Sequence, residues 1–163
     1  MVHLRDFNAE DTEFLIKHLN NEKVIKYLTT KIPYPYTVED ASWWLNTGSK
    51  EGITKVIDVY DEFAGVIGVS VGEYQHSRCA EIGYWLGEKF WGKGIASEAV
   101  TQMTEYVFSS TEIVRLFAPV FDPNKASMRV LEKCGYKLEG VLEKGIFKNG
   151  EFFNEHMFAR VHS

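Results

Sequence analysis

Residues 91–96 read WGKGIA and join a predicted strand, residues 80–86, to a predicted helix. A loop that leaves a strand and enters a helix directs several unpaired backbone N–H groups at one point, at the positive end of the helix dipole. Gly92 and Gly94 have no side chain to keep an anion away from the backbone, and Ala96 keeps the start of the helix narrow. The stretch therefore predicts a loop that binds phosphate.

Three other interpretations of the loop have to be weighed. A Rossmann fingerprint is disfavoured because Ser97 stands where its third glycine is required. Residues 87–93 match most of a P-loop, but Gly94 replaces the hydroxyl residue that ligates magnesium there. An ordinary turn, in which the glycines only reverse the chain, stays open on the loop alone.

The rest of the chain predicts a mixed α+β domain that spans residues 1–163. Capping patterns at Asn8 and Thr37 predict helices in the N-terminal third, with a proline-rich aromatic loop at residues 32–36 between them. Later runs of β-branched and apolar residues alternate with helical spacing. Predicted strands are 4–7, 53–59, 64–71, 80–86, 116–120 and a final pair around Asn149-Gly150; predicted helices include 14–19, 24–28, 38–45, 96–107 and 124–134.

Composition restricts the function classes. The net charge is −5, which provides no basic field for nucleic acid or an anionic membrane. Two separated cysteines, Cys79 and Cys134, indicate buried thiols rather than a disulfide framework or a zinc site, so no metal is expected. No apolar run of membrane-spanning length is present, and we expect a cytoplasmic protein, either a monomer or a homodimer.

Two segments resemble the cofactor motifs of the GCN5-related N-acetyltransferase superfamily. The first comprises EIGYWLG at 81–87 and FWGKGIASEA at 90–99; the second comprises DPNKAS at 122–127 and VLEKCGY at 130–136. LEG at 138–140 and the Asn149-Gly150 hairpin further resemble the RimJ/RimL-type branch, which acetylates the N-termini of ribosomal proteins. The resemblance implies a central, mostly antiparallel, splayed mixed sheet of about seven strands flanked by helices.

The resemblance also implies acetyl-CoA as co-substrate and a set of site residues. In this scheme the backbone N–H of Leu86 stabilises the oxyanion, Ser127 is the acid near sulfur, and Asn124 binds the pantetheine arm. The implied cofactor-binding residues are Trp85, Leu86, Trp91, Gly92, Lys93, Gly94, Ile95, Ala96, Ser97, Asn124 and Ser127. Trp91 departs from the Arg or Gln of many relatives, and Glu88 from a frequent proline. Asn124 and Ser127 are also typical of an ordinary helix start.

The general base and the acceptor site are less well defined. Glu81 is the candidate base, acting through water, with a solvent-facing edge carboxylate as the alternative. Where the ribosomal branch has a glutamate base near the end of the chain, this sequence has Ile146, with Glu143 as a neighbour. Candidate acceptor-binding residues precede or flank the cofactor motifs: Tyr34, Tyr36, Trp43, Glu73 and His76. For Trp43, packing of a helix on the sheet is the alternative.

Three functions are compatible with these features. The first is acetylation of a protein N-terminal α-amine by direct transfer, without a covalent enzyme intermediate. The second is the same chemistry on a small amine, such as an amino acid, a polyamine or an antibiotic. The third is a non-catalytic acyl-CoA-binding sensor or interaction module.

Overall fold

A computed structural model describes residues 1–163, which form seven strands and five α-helices joined by short 3₁₀ turns. The strands are β1 (Val2–Arg5), β2 (Ile53–Val59), β3 (Glu62–Val71), β4 (Cys79–Leu86), β5 (Arg115–Phe121), β6 (Lys137–Lys148) and β7 (Glu151–Val161). The helices are α1 (Thr12–Leu19), α2 (Glu22–Ile25), α3 (Val38–Asn46), α4 (Ile95–Ser110) and α5 (Lys125–Lys133). None of the helices combines the length and the apolar character needed to cross a membrane.

The strands form a mixed sheet in the order β1-β2-β3-β4-β5-β7-β6. Strands β1 and β2, β2 and β3, β5 and β7, and β6 and β7 pair antiparallel. Strand β4 pairs parallel with β5 over three positions, Cys79–Glu81 against Arg115–Phe117, while β5 continues to Phe121. This arrangement confirms the predicted mostly antiparallel, splayed sheet of seven strands with flanking helices.

Residues pack into two compact units, one of residues 1–70 and 83–99 and the other of residues 71–82 and 100–163. Strand β4 and helix α4 each contribute residues to both units. A single domain over residues 1–163 stays a prediction.

The first unit is organised around an apolar cluster between α1, α3, β2 and β3. Its buried members are Leu15, Leu19, Tyr36, Ala41, Val56, Phe63 and Val66. Both predicted capping boxes are present: Asp11 closes the box of Asn8, and Asp40 closes that of Thr37. The first box caps the 3₁₀ turn that precedes α1, and the second caps α3 itself.

An ion triad links three segments of the first unit. Arg5 donates to Asp11 at 2.8 Å and to Asp58 at 2.9 Å, and the Asp11 side chain is 1% exposed. Hydrogen bonding to Asp11, opposed by burial and helped by Asp58, raises the pKa of Arg5, so this cation stays charged. The triad links β1, the turn before α1 and β2.

The second unit is built on α4, β5, β7 and α5. Val100, Met103 and Val107 of α4 are buried, as are Leu116, Ala118 and Val120 of β5. The hydroxyl of Thr104 lies 2.7 Å from that of buried Tyr136, and burial raises the pKa of Tyr136 to about 12. Gly135 at φ +85° ends α5, as its sequence position predicted.

Several predicted bounds shift by a few residues. Strand β1 ends at Arg5 rather than at residue 7, because Asn8 already caps the following turn with its side chain. Helix α2 ends at Ile25, before Leu28. Ile95 is buried at the start of α4, whereas Ala96 is only half-buried. Cys134 is buried as expected, but Cys79 is half-buried, and neither forms a disulfide.

Candidate functional site

The glycine loop has a backbone that matches an anion-binding role. Gly92 and Gly94 adopt φ values of +70° and +76°, a region that L-residues enter only with strain. A Cβ placed on either glycine would meet nothing within 4 Å, so the backbone faces open space. Helix α4 follows at once, with Glu98 N–H donating to the carbonyl of Gly94 at 3.2 Å. An open glycine loop at a helix N-terminus is a suitable place for a pyrophosphate.

Trp91 connects this loop to the end of β4. Its indole Nε1–H donates to the carbonyl oxygen of Leu86 at 2.9 Å, and the side chain is 44% exposed. The bond spans the short 3₁₀ turn at residues 88–90. Trp91 therefore holds the loop against the end of β4.

The end of β4 is tightly packed against β3. Gly87 N–H donates to the carbonyl of Ala64 at 2.8 Å, and a Cβ on Gly65 would lie 2.0 Å from the carbonyl oxygen of Trp85. No other residue type can occupy position 65 without moving this strand. Leu86, which is 8% exposed, is thereby held in a fixed backbone conformation.

His18 of α1 covers the residue that follows Leu86. A Cβ on Gly87 would lie 2.5 Å from Cε1 of His18, and the imidazole stacks on Phe63 with ring centroids 6.1 Å apart. Burial, with smaller contributions from Lys17 and Lys89, lowers the pKa of His18, although Glu62 opposes this. A neutral imidazole is the favoured form in this packed position.

Asn124 and Ser127 lie at the start of α5 in the second unit. Asn124 accepts a hydrogen bond from the backbone N–H of Ser127 at 3.3 Å, so its side chain does cap the helix. Its own N–H donates to the carbonyl of Phe121 at 2.9 Å, which ties the helix start to the end of β5. Both side chains are half-buried.

The candidate acceptor residues differ in accessibility. Tyr36 lies in the core at 6% exposure, and burial raises its pKa to about 12. Tyr34, at 50% exposure, and Trp43, at 55%, are accessible in the first unit. Glu73 and His76 are exposed in the second unit, around the 3₁₀ turn at residues 74–76.

The candidate bases are mostly solvent-facing. Glu81 is exposed, and its Cα lies opposite that of Phe117 in the sheet. Glu143 is exposed within a bulge of β6, and Ile146 pairs with Phe153 of β7.

Sequence reasoning did not single out His18 or Glu155. His18 has only an ordinary helical position in the sequence, and Glu155 lies in a strand whose neighbours on β5 are distant in the chain. Their burial and neighbours follow from long-range packing alone.

Comparison with known proteins identifies the family of this arrangement. Residues 2–137 match the acetyltransferase (GNAT) domain. An uncharacterized N-acetyltransferase p20 of Bacillus licheniformis is 31% identical over 164 residues, which cover 96% of this chain and 90% of that protein. The L-amino acid N-acetyltransferase AaaT of Escherichia coli strain K12 is 24% identical over 96% of this chain and 93% of its own length.

A solved structure extends the likeness to three dimensions. RimL, a ribosomal L7/L12 alpha-N-protein acetyltransferase in complex with coenzyme A, superposes with a TM-score of 0.85 and 25% identity. The match covers 99% of this chain and 94% of RimL.

Proposed function

This chain belongs to the GNAT family of N-acetyltransferases, and from that membership we propose that it moves an acetyl group from acetyl-CoA to the α-amine of a protein N-terminus. The observation that carries the donor half is the open glycine loop, with Gly92 and Gly94 at positive φ before α4. The superposition on RimL, a ribosomal L7/L12 alpha-N-protein acetyltransferase, supports the acceptor half.

In this proposal the loop residues hold the pyrophosphate. Backbone N–H groups from Gly92 to Ala96 bind it at the start of α4, because the first turn of a helix presents donors without intrahelical partners. Asn124 holds the pantetheine arm while it caps α5. When bound, acetyl-CoA supplies an acyl thioester with a good leaving group.

Two groups of the chain act on the reacting atoms. The backbone N–H of Leu86, held by the tight packing of β4 on β3, donates to the carbonyl oxygen on which negative charge develops. The hydroxyl of Ser127 gives a proton to the departing sulfur. Transfer is direct, so no nucleophilic side chain is required.

A small amine is the second candidate acceptor. AaaT, whose name assigns it to L-amino acids, is similar to this chain over 96% of the chain's length. That similarity favours a small amine as acceptor. Glu73, Tyr34 and Trp43 are exposed. Their carboxylate and aromatic groups suit a cationic amine, whether it belongs to a protein N-terminus or to a small molecule.

One panel experiment separates the acceptors. Purified protein and acetyl-CoA are incubated with peptides of varied N-terminal residue, free amino acids and polyamines, and acetylation is followed by mass spectrometry together with thiol release. Transfer to peptide α-amines supports the proposal. Transfer confined to small amines replaces it with the second candidate, and no transfer to any member overturns both.

A further inference from the structure

The hairpin of β6 and β7 contains a wide bulge opposite Glu155. Leu142 pairs with Glu155 and Ile146 with Phe153, so β6 places extra residues between these two positions. Within the bulge, Lys144 adopts φ +53°, and its N–H donates to Oδ1 of Asn154 at 3.0 Å. Bulges of this kind redirect side chains and are common beside active sites.

Glu155 lies in this bulge region with aromatic neighbours. Its Cα pairs with that of Phe121 on β5, and residues paired in this way place their side chains on one face. The rings of Phe121 and Phe153 contact each other at 5.3 Å between centroids, and Phe153 is on the same face of β7. A Cβ on Gly145 would lie 3.1 Å from Cβ of Glu155, so the bulge packs directly on this residue.

The carboxylate of Glu155 is half-buried, and no salt bridge or side-chain hydrogen bond of the protein lowers its pKa. Partial burial disfavours the ionised form of such a group, and a cationic ligand favours it. Burial raises the pKa of Glu155, and burial also lowers that of Lys148, whose Nζ lies 5.9 Å from the centroid of Phe121. Exposed Glu81 and Glu143 lack this enclosure.

The position of Glu155 also relates to the proposed acid. Phe121, its strand partner, accepts the hydrogen bond from Asn124 N–H, and Asn124 caps the helix that carries Ser127. Asp122 N–H donates to the carbonyl of Asn154 at 3.0 Å. The β7 segment next to Glu155 and the start of α5 are therefore held to the same short piece of backbone.

We propose that Glu155 binds the ammonium group of a cationic primary amine beside the Phe121 and Phe153 rings and acts as the base that deprotonates it. This inference rests on the proposed function and names the group that recognises its acceptor. A carboxylate beside aromatic faces suits an ammonium because both attract the cation.

The step balances as follows. The ammonium gives one proton to the Glu155 carboxylate and becomes a neutral amine. Its lone pair forms the C–N bond to the acetyl carbonyl carbon, and the C–S bond breaks. The proton that the nitrogen loses after attack reaches the thiolate through the hydroxyl of Ser127, and Glu155 returns its proton to water.

The test compares Glu155→Gln with Glu151→Gln, a matched control on the same strand whose carboxylate is exposed. Acceptors come from the panel above. We expect kcat/KM of Glu155→Gln to fall about 100-fold, the usual contribution of a general base. We expect Glu151→Gln to match the wild type and Glu155→Asp to recover part of the loss.

A pH profile distinguishes this role from a structural one. The wild type should lose kcat/KM toward acid with an apparent pKa above the ordinary 4.5 of glutamate, because the base must be ionised. That limb should be absent in Glu155→Gln. Other charged groups on the adjoining segments are Asp122, Glu143, Lys144, Lys148, Glu151 and His156. A limb that persists in Glu155→Gln overturns the assignment.

Binding gives an independent readout. Calorimetry compares the acceptor of highest kcat/KM with its analogue in which hydrogen replaces the amine. The wild type should prefer the amine at least about tenfold, as expected for a hydrogen bond to a charged group, and Glu155→Gln should lose this preference. If the wild type turns over but Glu155→Gln behaves as Glu151→Gln, this inference alone fails. If the wild type acetylates no amine, the proposed function fails with it.

Discussion

The indole Nε1–H of Trp91 donates to the carbonyl oxygen of Leu86 at 2.9 Å, which joins the glycine loop to the end of β4. The two residues have different proposed tasks, since Trp91 begins the pyrophosphate loop and Leu86 provides the oxyanion donor. The bond makes the conformation of one depend on the other. The donor, Trp91, is also the residue that stands where many relatives have Arg or Gln.

Replacing Trp91 with Phe removes this donor and keeps an aromatic ring. The net loss of one hydrogen bond is about 1 kcal/mol, so we expect kcat/KM to fall about fivefold. Trp44→Phe is the matched control, because the buried Nε1 of Trp44 has no hydrogen-bond partner. Steady-state kinetics of both variants check the prediction, and equal rates would show that the bond is dispensable.

Gly94→Val should abolish tight coenzyme A binding without unfolding the protein. Valine at φ +76° carries strain of about 1–2 kcal/mol and holds the ligand away from the backbone. We expect an affinity loss of at least about tenfold by calorimetry. Gly150→Val, at φ +79° in the final hairpin, carries the same strain and should bind normally. An unchanged affinity in Gly94→Val would refute the role of the loop.

Ser127→Ala tests the proposed acid. Its hydroxyl does not form the helix cap, which uses the backbone N–H of this residue and the side chain of Asn124. The cap of α5 should therefore survive the substitution, while kcat, measured by steady-state kinetics, falls about 100-fold. Exposed Ser110→Ala provides the control. A kcat equal to that of the control would remove Ser127 from the mechanism.

His18 should make stability depend on pH. Burial lowers its folded pKa below the ordinary 6.5, so the unfolded chain binds a proton first as the pH falls. This contribution leaves stability unchanged above 6.5 and reduces it from there down to the folded pKa. The free energy of unfolding, measured with urea at several pH values across this range, should depend less steeply on pH in His18→Phe, whose ring does not titrate. Identical slopes would contradict the prediction.

Elements controlled by neighbouring residues were predictable from the sequence. Asn8 caps the 3₁₀ turn before α1 and Thr37 caps α3, each in a capping box with the residue three positions on, and Asn149-Gly150 forms a turn at φ +51° and +79°. The glycine loop belongs to the same class, since its backbone angles and its place before α4 depend on local residue types.

The properties of single side chains were less predictable. Tyr36 was a candidate for acceptor binding, but the packing of α1 and α3 on β2 buries it. Asn124 caps α5 and is also a candidate for cofactor binding. Its residue type alone does not distinguish the two roles.

The sequence by itself determined the strand and helix order, the caps, the turns and the conformation of the glycine loop, because each depends on interactions within a few residues. Tertiary structure alone placed His18 against Gly87, gave Arg5 two carboxylates, and enclosed Glu155 beside Phe121. Burial and charge environment depend on segments far apart in the chain, and these set a side chain's pKa and its access to a ligand. The loop thus predicts the donor, whereas the acceptor site depends on the packed strands.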